Sequence, residues 1–157
     1  KIYFAPCDAH YALVIDPSTS TVETLEPELP GDFKYVADGV LARNGKIYFA
    51  PYEADQVVVI EPSASAASAI QMLGPQIQVK SKYIGPGVLA INDKIFFAPH
   101  SGQRVLIIDP DASAAQLMEL KPPRKNRKNI YISGVLAPSG KIVFVPDEGR
   151  DALVIDP

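Results

Sequence analysis

A hexapeptide written four times constrains this chain more than any other feature. Lys-Ile-Tyr-Phe-Ala-Pro occupies 1–6 and returns unchanged at 46–51, as Lys-Ile-Phe-Phe-Ala-Pro at 94–99 and as Lys-Ile-Val-Phe-Val-Pro at 141–146. The copies begin 45, 48 and 47 residues apart. Each leads into an apolar run closed by an acid and a proline: Leu-Val-Ile-Asp-Pro at 13–17, Val-Val-Ile-Glu-Pro at 58–62, Leu-Ile-Ile-Asp-Pro at 106–110 and Leu-Val-Ile-Asp-Pro at 153–157. A third piece, Gly-Val-Leu-Ala, stands at 39–42, 87–90 and 134–137. Self-similarity at this period means copies of one supersecondary unit stacked against each other.

Each unit predicts four short strands. Strand A is Gly-Val-Leu-Ala, B is the hexapeptide, C is the run ending in acid-Pro, and D lies at 21–26, 69–73 and 116–120. Asn44-Gly45 and Ser139-Gly140, with Asn92-Asp93 in the third copy, suit tight A–B hairpins because these residues tolerate positive φ. Asp16-Pro17-Ser18-Thr19 and its equivalents suit C–D turns, with proline fixing φ and the acid accepting a backbone N–H. Strands B and C are apolar almost throughout and do not alternate, the pattern of sheets covered on both faces. Four antiparallel strands per unit, with sheets sandwiched between sheets, predict an all-β fold, a β-propeller of four-stranded blades. Helical repeats need a 3.6 period that is absent, and a β-helix has shorter coils.

The whole of 1–157 then forms one partial propeller domain, with repeat units 1–45, 46–93, 94–140 and a truncated 141–157. The strand order is B-C-D, A-B-C-D, A-B-C-D, A-B-C, about three and a half blades. The first blade lacks its innermost strand and the last its outermost. Two copies would not restore the ring, since each lacks the same D–A joint. The simplest expectation is a fragment of a propeller of six or seven blades, ahead of an incomplete four-bladed ring or an engineered half-propeller. Lys1 in place of methionine opens directly into an apolar run, so no targeting segment can be read.

The string Gly-Val-Leu-Ala at 39–42, Asn-Gly-Lys-Ile-Tyr-Phe-Ala-Pro-Tyr at 44–52 and Val-Val-Val-Ile-Glu-Pro at 57–62 resembles a repeat found in large proteins of protists, notably dinoflagellate algae. Similar units occur in some kinetoplastid and bacterial proteins. It is more distantly similar to the YVTN-type propeller repeats of surface-layer and secreted proteins. The resemblance covers essentially the whole chain and implies the fold, without an activity common to the family. An algal setting would imply an accessory subunit of an organellar assembly. The Trp-Asp dipeptide of WD repeats and the double glycine of kelch repeats are missing, there being no tryptophan at all.

Function in propellers gathers where D–A and B–C connections meet the central channel. The B–C loops follow the repeated proline and differ in every copy: Cys7-Asp8-Ala9-His10, Tyr52-Glu53-Ala54-Asp55, His100-Ser101-Gly102-Gln103 and Asp147-Glu148-Gly149-Arg150. His10, Tyr52, Glu53, Asp55, His100 and Arg150 are therefore candidate binding residues, with solvated surface loops as the plainer explanation. His10, His100, Cys7, Asp8, Asp147 and Glu53 include ligand types for a metal, but without ligand spacing and on different blades. No metal or cofactor is expected. Asp16, Glu61, Asp109 and Asp156 recur too regularly for a catalytic set and read as turn acids. Phosphate-loop and nucleophile-elbow motifs are absent.

Charge adds one exception to the repeat. The net charge of −3 argues against a general polyanion binder, and Cys7, the sole cysteine, excludes an internal disulfide. Yet the third D–A loop, Lys-Pro-Pro-Arg-Lys-Asn-Arg-Lys at 121–128, gathers five of the chain's 15 basic residues: Lys121, Arg124, Lys125, Arg127 and Lys128. This spot suits an acidic partner, a phosphate or an anionic surface. Specific nucleic-acid binding is not expected, because only Tyr131 is near enough to offer a stacking ring. No run of about 18 apolar residues exists to span a bilayer. These features together predict a non-enzymatic scaffold for protein–protein interaction within a larger complex. The alternative is a propeller hydrolase, or a propeller binding a small molecule, with its site on the B–C/D–A loop face. Organellar and extracellular settings both fit.

Overall fold

The computed structural model describes residues 1–120, 131–147 and 151–157. The basic segment at 121–128 and Arg150 lie outside the described residues. Fourteen strands occur in the expected order, and no helix is present among the described residues. Blade 1 is an antiparallel sheet of β1 (Ile2–Phe4), β2 (Ala12–Asp16) and β3 (Thr21–Leu25). Blade 2 joins β4 (Val40–Leu41), β5 (Ile47–Phe49), β6 (Val57–Ile60) and β7 (Ile70–Leu73) in that order. Blade 3 repeats it with β8 (Val88–Leu89), β9 (Ile95–Phe97), β10 (Arg104–Asp109) and β11 (Ala114–Glu119). Blade 4 is β12 (Tyr131–Leu136), β13 (Ile142–Pro146) and β14 (Leu153–Ile155). This is a partial β-propeller.

The core lies between the sheets, in three clusters that alternate residues of neighbouring blades. Ala12, Val14 and Leu25 of blade 1 meet Phe49, Val58 and Ile60 of blade 2. Tyr48, Val57 and Val59 on the other face of blade 2 meet Ile95, Phe97, Leu106 and Ile108 of blade 3. Val88, Phe96, Val105 and Ile107 then meet Ile142, Phe144 and Ile155 of blade 4. A strand has two faces, so a blade with two neighbours must be apolar on both, and β6 is buried at all four positions. Each fully buried large side chain contributes on the order of 1.5–3 kcal/mol. The outermost faces of blades 1 and 4 have no neighbour among the described residues, and Ile2, Phe4, Val22, Val135, Val145 and Val154 are exposed there.

The glycine of Gly-Val-Leu-Ala has a steric reason. A Cβ at Gly87 would sit 2.5 Å from the Phe97 ring of its own blade and 2.8 Å from Val40 of the preceding one. Gly134 meets Phe144 and Val88 in the same way. The A strands thus crowd together at the inner edge, and only glycine admits the phenylalanine beneath.

The A–B turns differ in detail from a two-residue hairpin. The carbonyl of Ala42 accepts the Gly45 N–H at 3.0 Å, as Ala90 accepts Asp93 and Ala137 accepts Gly140. Only the last residue of each has positive φ: Gly45 at 80°, Asp93 at 63° and Gly140 at 83°. These are three-residue loops with a left-handed closing residue. Asn44 and Asn92 serve instead as acceptors, their Oδ1 atoms taking the N–H of Lys46 and Lys94. The recurring acids anchor the C–D turns. Asp16 accepts from Ser18, Glu61 from Ser63, and Asp109 from the Ala112 N–H. The lysine opening strand B also pairs with the acid across the sheet, Lys46–Glu61 at 3.1 Å and Lys94–Asp109 at 3.2 Å. These hydrogen bonds and lysines hold the carboxyls of Asp16, Glu61 and Asp109 below their ordinary range.

Candidate functional site

The B–C loops are joined by something the repeat alone did not reveal. Phe33-Lys34-Tyr35 and Ser81-Lys82-Tyr83 cross from blade to blade as part of the D–A connections. The Lys34 N–H donates to the Cys7 carbonyl of blade 1, while its own carbonyl accepts the Tyr52 N–H of blade 2 at 2.7 Å. One blade further on, Lys82 donates to the Tyr52 carbonyl and accepts from the His100 N–H at 2.8 Å. Lys34 and Lys82 are each 3% exposed, and their ammonium groups turn onto backbone carbonyls: Gly31 for Lys34, Tyr52 and Glu53 for Lys82. Burial lowers the Lys82 pKa, with Asp55 and Glu53 opposing that shift.

The preceding residue is left-handed in both connections, Phe33 at φ 49° and Ser81 at 54°. Its N–H is held by the second residue of the B–C loop behind it: Asp8 Oδ1 accepts from Phe33 at 2.8 Å, and Glu53 Oε1 from Ser81 at 3.0 Å. The following tyrosine is buried and donates onward, Tyr35 to the Gln56 carbonyl and Tyr83 to that of Arg104. Burial raises both phenol pKa values. Spacings of 48 residues from Lys34-Tyr35 to Lys82-Tyr83, and again from Tyr83 to Tyr131, are the signal that identifies this element in the sequence.

These bonds assign structural contacts to several candidate residues. Glu53 caps the next D–A connection. Replacing it with alanine leaves the Ser81 N–H without that acceptor and should cost about 1–2 kcal/mol. Thermal unfolding of Glu53→Ala beside Asp55→Ala checks this, since the exposed Asp55 side chain should be replaceable with little loss. The Tyr52 and His100 rings lie 6.1 Å apart at 56° across the blade 2–3 junction. His100 Nδ1 also lies 3.3 Å from the Ser81 carbonyl. His10 pairs with Glu28 at 2.5 Å on exposed surface, far in chain from His100. Cys7 is part-buried beside Asp8, and burial first, then that carboxylate, raises its thiol pKa. Among the described residues no three His, Cys, Asp or Glu side chains gather as a metal site would require.

Two clefts of nearly equal size open between these loops at successive junctions. The first, about 290 Å³, is bordered by Gly31, Asp32, Lys34, Tyr35, Glu53 and Asp55. The second, about 300 Å³, is bordered by Val79, Lys82, Tyr83, Ser101, Gln103 and Arg104. They occupy the same place one repeat apart. The first is acidic at its rim. The second carries Arg104, paired at 2.6 Å with Glu119, beside apolar Ile77 and Pro99.

No family model and no curated protein matches the chain. Solved structures do. Virginiamycin B lyase from Staphylococcus aureus superposes with a TM-score of 0.74 at 14% identity, over 98% of this chain and 47% of that one. A streptogramin B lyase gives 0.72 at 17% identity over the same shares. An auxiliary nutrient binding protein from Bacteroides thetaiotaomicron gives 0.60 at 13%, over 97% of this chain and 34% of the other. The chain therefore spans about half the length of the lyases or less of its neighbours. At such identities the likeness establishes the propeller-like fold.

Proposed function

We propose that the chain is a non-enzymatic propeller scaffold whose loop face binds another protein in a larger complex. The observation that carries this reading is the pair of repeat-equivalent clefts with unlike rims. The backbone frame around them is constant, fixed by Lys34 and Lys82, while the side chains it displays change from acidic to mixed. A frame that stays put under changing chemistry suits recognition of an extended partner across several blades. The basic residues Lys121, Arg124, Lys125, Arg127 and Lys128 extend the same series of D–A connections and add attraction for an acidic partner. His10, Tyr52, Asp55, His100 and Arg150 belong to the neighbouring B–C loops.

The test is replacement of all five basic residues by serine. The expected result is an unchanged unfolding temperature and a several-fold loss of partner capture at low salt, fading as salt rises. Equal capture by both proteins overturns the role of this segment. A second reading, a site for a small molecule, is favoured by the 300 Å³ cleft, which falls at the small end of ligand pockets. The lyase and nutrient-binding neighbours supply fold-level analogy for it and nothing finer. Filling that cleft with Val79→Trp would abolish small-molecule binding and leave capture by the basic segment intact.

A further inference from the structure

The second cleft, at the junction of blades 2 and 3, differs from its repeat equivalent in what its walls leave unpaired. Ile77, Tyr83 and Pro99 border it and are buried. Val79 adds an apolar wall that is 44% exposed, where the first cleft has Gly31 at the equivalent position. The walls are held in place by bonds of their own. The Ile77 N–H donates to the Asp55 carbonyl at 2.8 Å, and the Leu120 N–H to the Gln103 carbonyl at 2.7 Å. The Tyr83 hydroxyl donates to the Arg104 carbonyl, and its ring meets Phe97 edge-on. A site fixed in this way asks little ordering entropy of a ligand.

Charge decides what kind of ligand fits. Arg104 and Glu119 pair with each other at 2.6 Å on the rim. The Lys82 ammonium turns onto the Tyr52 and Glu53 carbonyls. A charged occupant would have to compete with a member of these contacts or leave water without a counter-ion. The Ser101 hydroxyl lies 3.2 Å from His100 Nδ1. Gln103 is different, because its part-buried side-chain amide makes no hydrogen bond among the described residues. A carboxamide carries donors on its nitrogen and an acceptor oxygen, the complement of a peptide group. At the first cleft the same position is Asp55, whose carboxylate only accepts.

We propose that this cleft anchors one uncharged apolar side chain of an extended partner segment, with Gln103 hydrogen-bonded to the adjoining peptide group. The apolar walls take the side chain and the amide reads the backbone. A volume of about 300 Å³ accommodates one such side chain with its peptide group. Apolar anchors in desolvated pockets carry a large share of the binding energy at protein interfaces. The proposal rests on the scaffold reading and names what the partner offers besides its acidic charge.

Methyl and amide NMR of the protein, titrated with capped amino acids, tests it. N-acetyl-leucine N-methylamide should give saturable shifts at the Ile77 and Val79 methyls and at the Gln103 side-chain amide, with millimolar affinity. The lysine and aspartate counterparts should bind at least about fivefold more weakly. Gln103→Glu keeps the shape and removes the amide donors. It should weaken the leucine probe about threefold at an unchanged unfolding temperature. Isopentanol, which has the apolar branch without a peptide group, should be indifferent to that replacement. Val79→Trp should remove the saturable shifts altogether. Absence of saturable shifts, equal affinity for the charged probes, or a leucine probe indifferent to Gln103→Glu each overturns the assignment. None of these outcomes touches partner capture through the basic segment, so this proposal and the scaffold reading can fail separately.

Discussion

Ile108→Asp should leave no folded protein. Ile108 is 0% exposed near the end of β10, paired with Ile95 on one side and Ala115 on the other. It also packs in the cluster that binds blade 2 to blade 3. The substitution removes a buried side chain, worth roughly 2–5 kcal/mol, and places a carboxylate where no cation or donor waits. A domain whose total stability is on the order of 5–15 kcal/mol does not absorb both. Ile60→Asp, at the equivalent buried position of blade 2, should behave alike. Circular dichroism and protease sensitivity provide the readout, with Met118→Asp on the exposed outer strand β11 as the tolerated control. A soluble, cooperative Ile108→Asp variant would contradict the account of a core held between sheets.

Gly87→Ala should destabilise by about 1–3 kcal/mol, the usual range for overpacking. Alanine ordinarily favours folding when it replaces a glycine of unstrained backbone. The sign therefore turns on the Phe97 ring, 2.5 Å from the added carbon and itself wholly buried. The double variant Gly87→Ala with Phe97→Leu separates these effects. Shortening the ring alone should cost stability, yet the second change should then cost little, giving a coupling energy on the order of 1 kcal/mol in the double-mutant cycle. Additive losses would mean that the glycine serves something other than this contact.

The repeat exposed the architecture because each strand carries its pattern within a few residues. The hexapeptide and the acid-Pro run placed strands B and C, and Gly-Val-Leu-Ala placed A, all within two or three residues of β4 to β14. Strand D was found from spacing more than from letters. The site was less legible. The D–A connections share few letters beyond Lys-Tyr, and that pair alone, at Lys34-Tyr35 and Lys82-Tyr83, gives no strand pattern. Buried lysines on backbone carbonyls do not follow from composition, since a lysine in a polar loop ordinarily faces water. In the sequence Glu53 reads as a candidate binding residue and metal-ligand type in a variable loop, whereas it holds a left-handed N–H on the next connection. Asn44 reads in the sequence as a residue tolerant of positive φ, yet it acts through its side chain, accepting from the Lys46 N–H and donating to the Tyr48 hydroxyl.

The bonds made by Lys34 and Lys82 use only main-chain atoms of the B–C loops. Five residues separate the loop proline from the first position of the C run in every copy: 7–11, 52–56, 100–104 and 147–151. Identity drifts through these stretches, apart from the acceptor at the second position in Asp8 and Glu53, and length does not. A residue gained or lost would misalign the carbonyl and N–H that the crossing segment needs, and adjacent blades would part along with it. The loops therefore act as interchangeable cassettes of fixed size. New specificities can be written into them by exchanging letters, while insertions belong in the C–D turns, which span four residues in blades 1 and 3 and nine in blade 2.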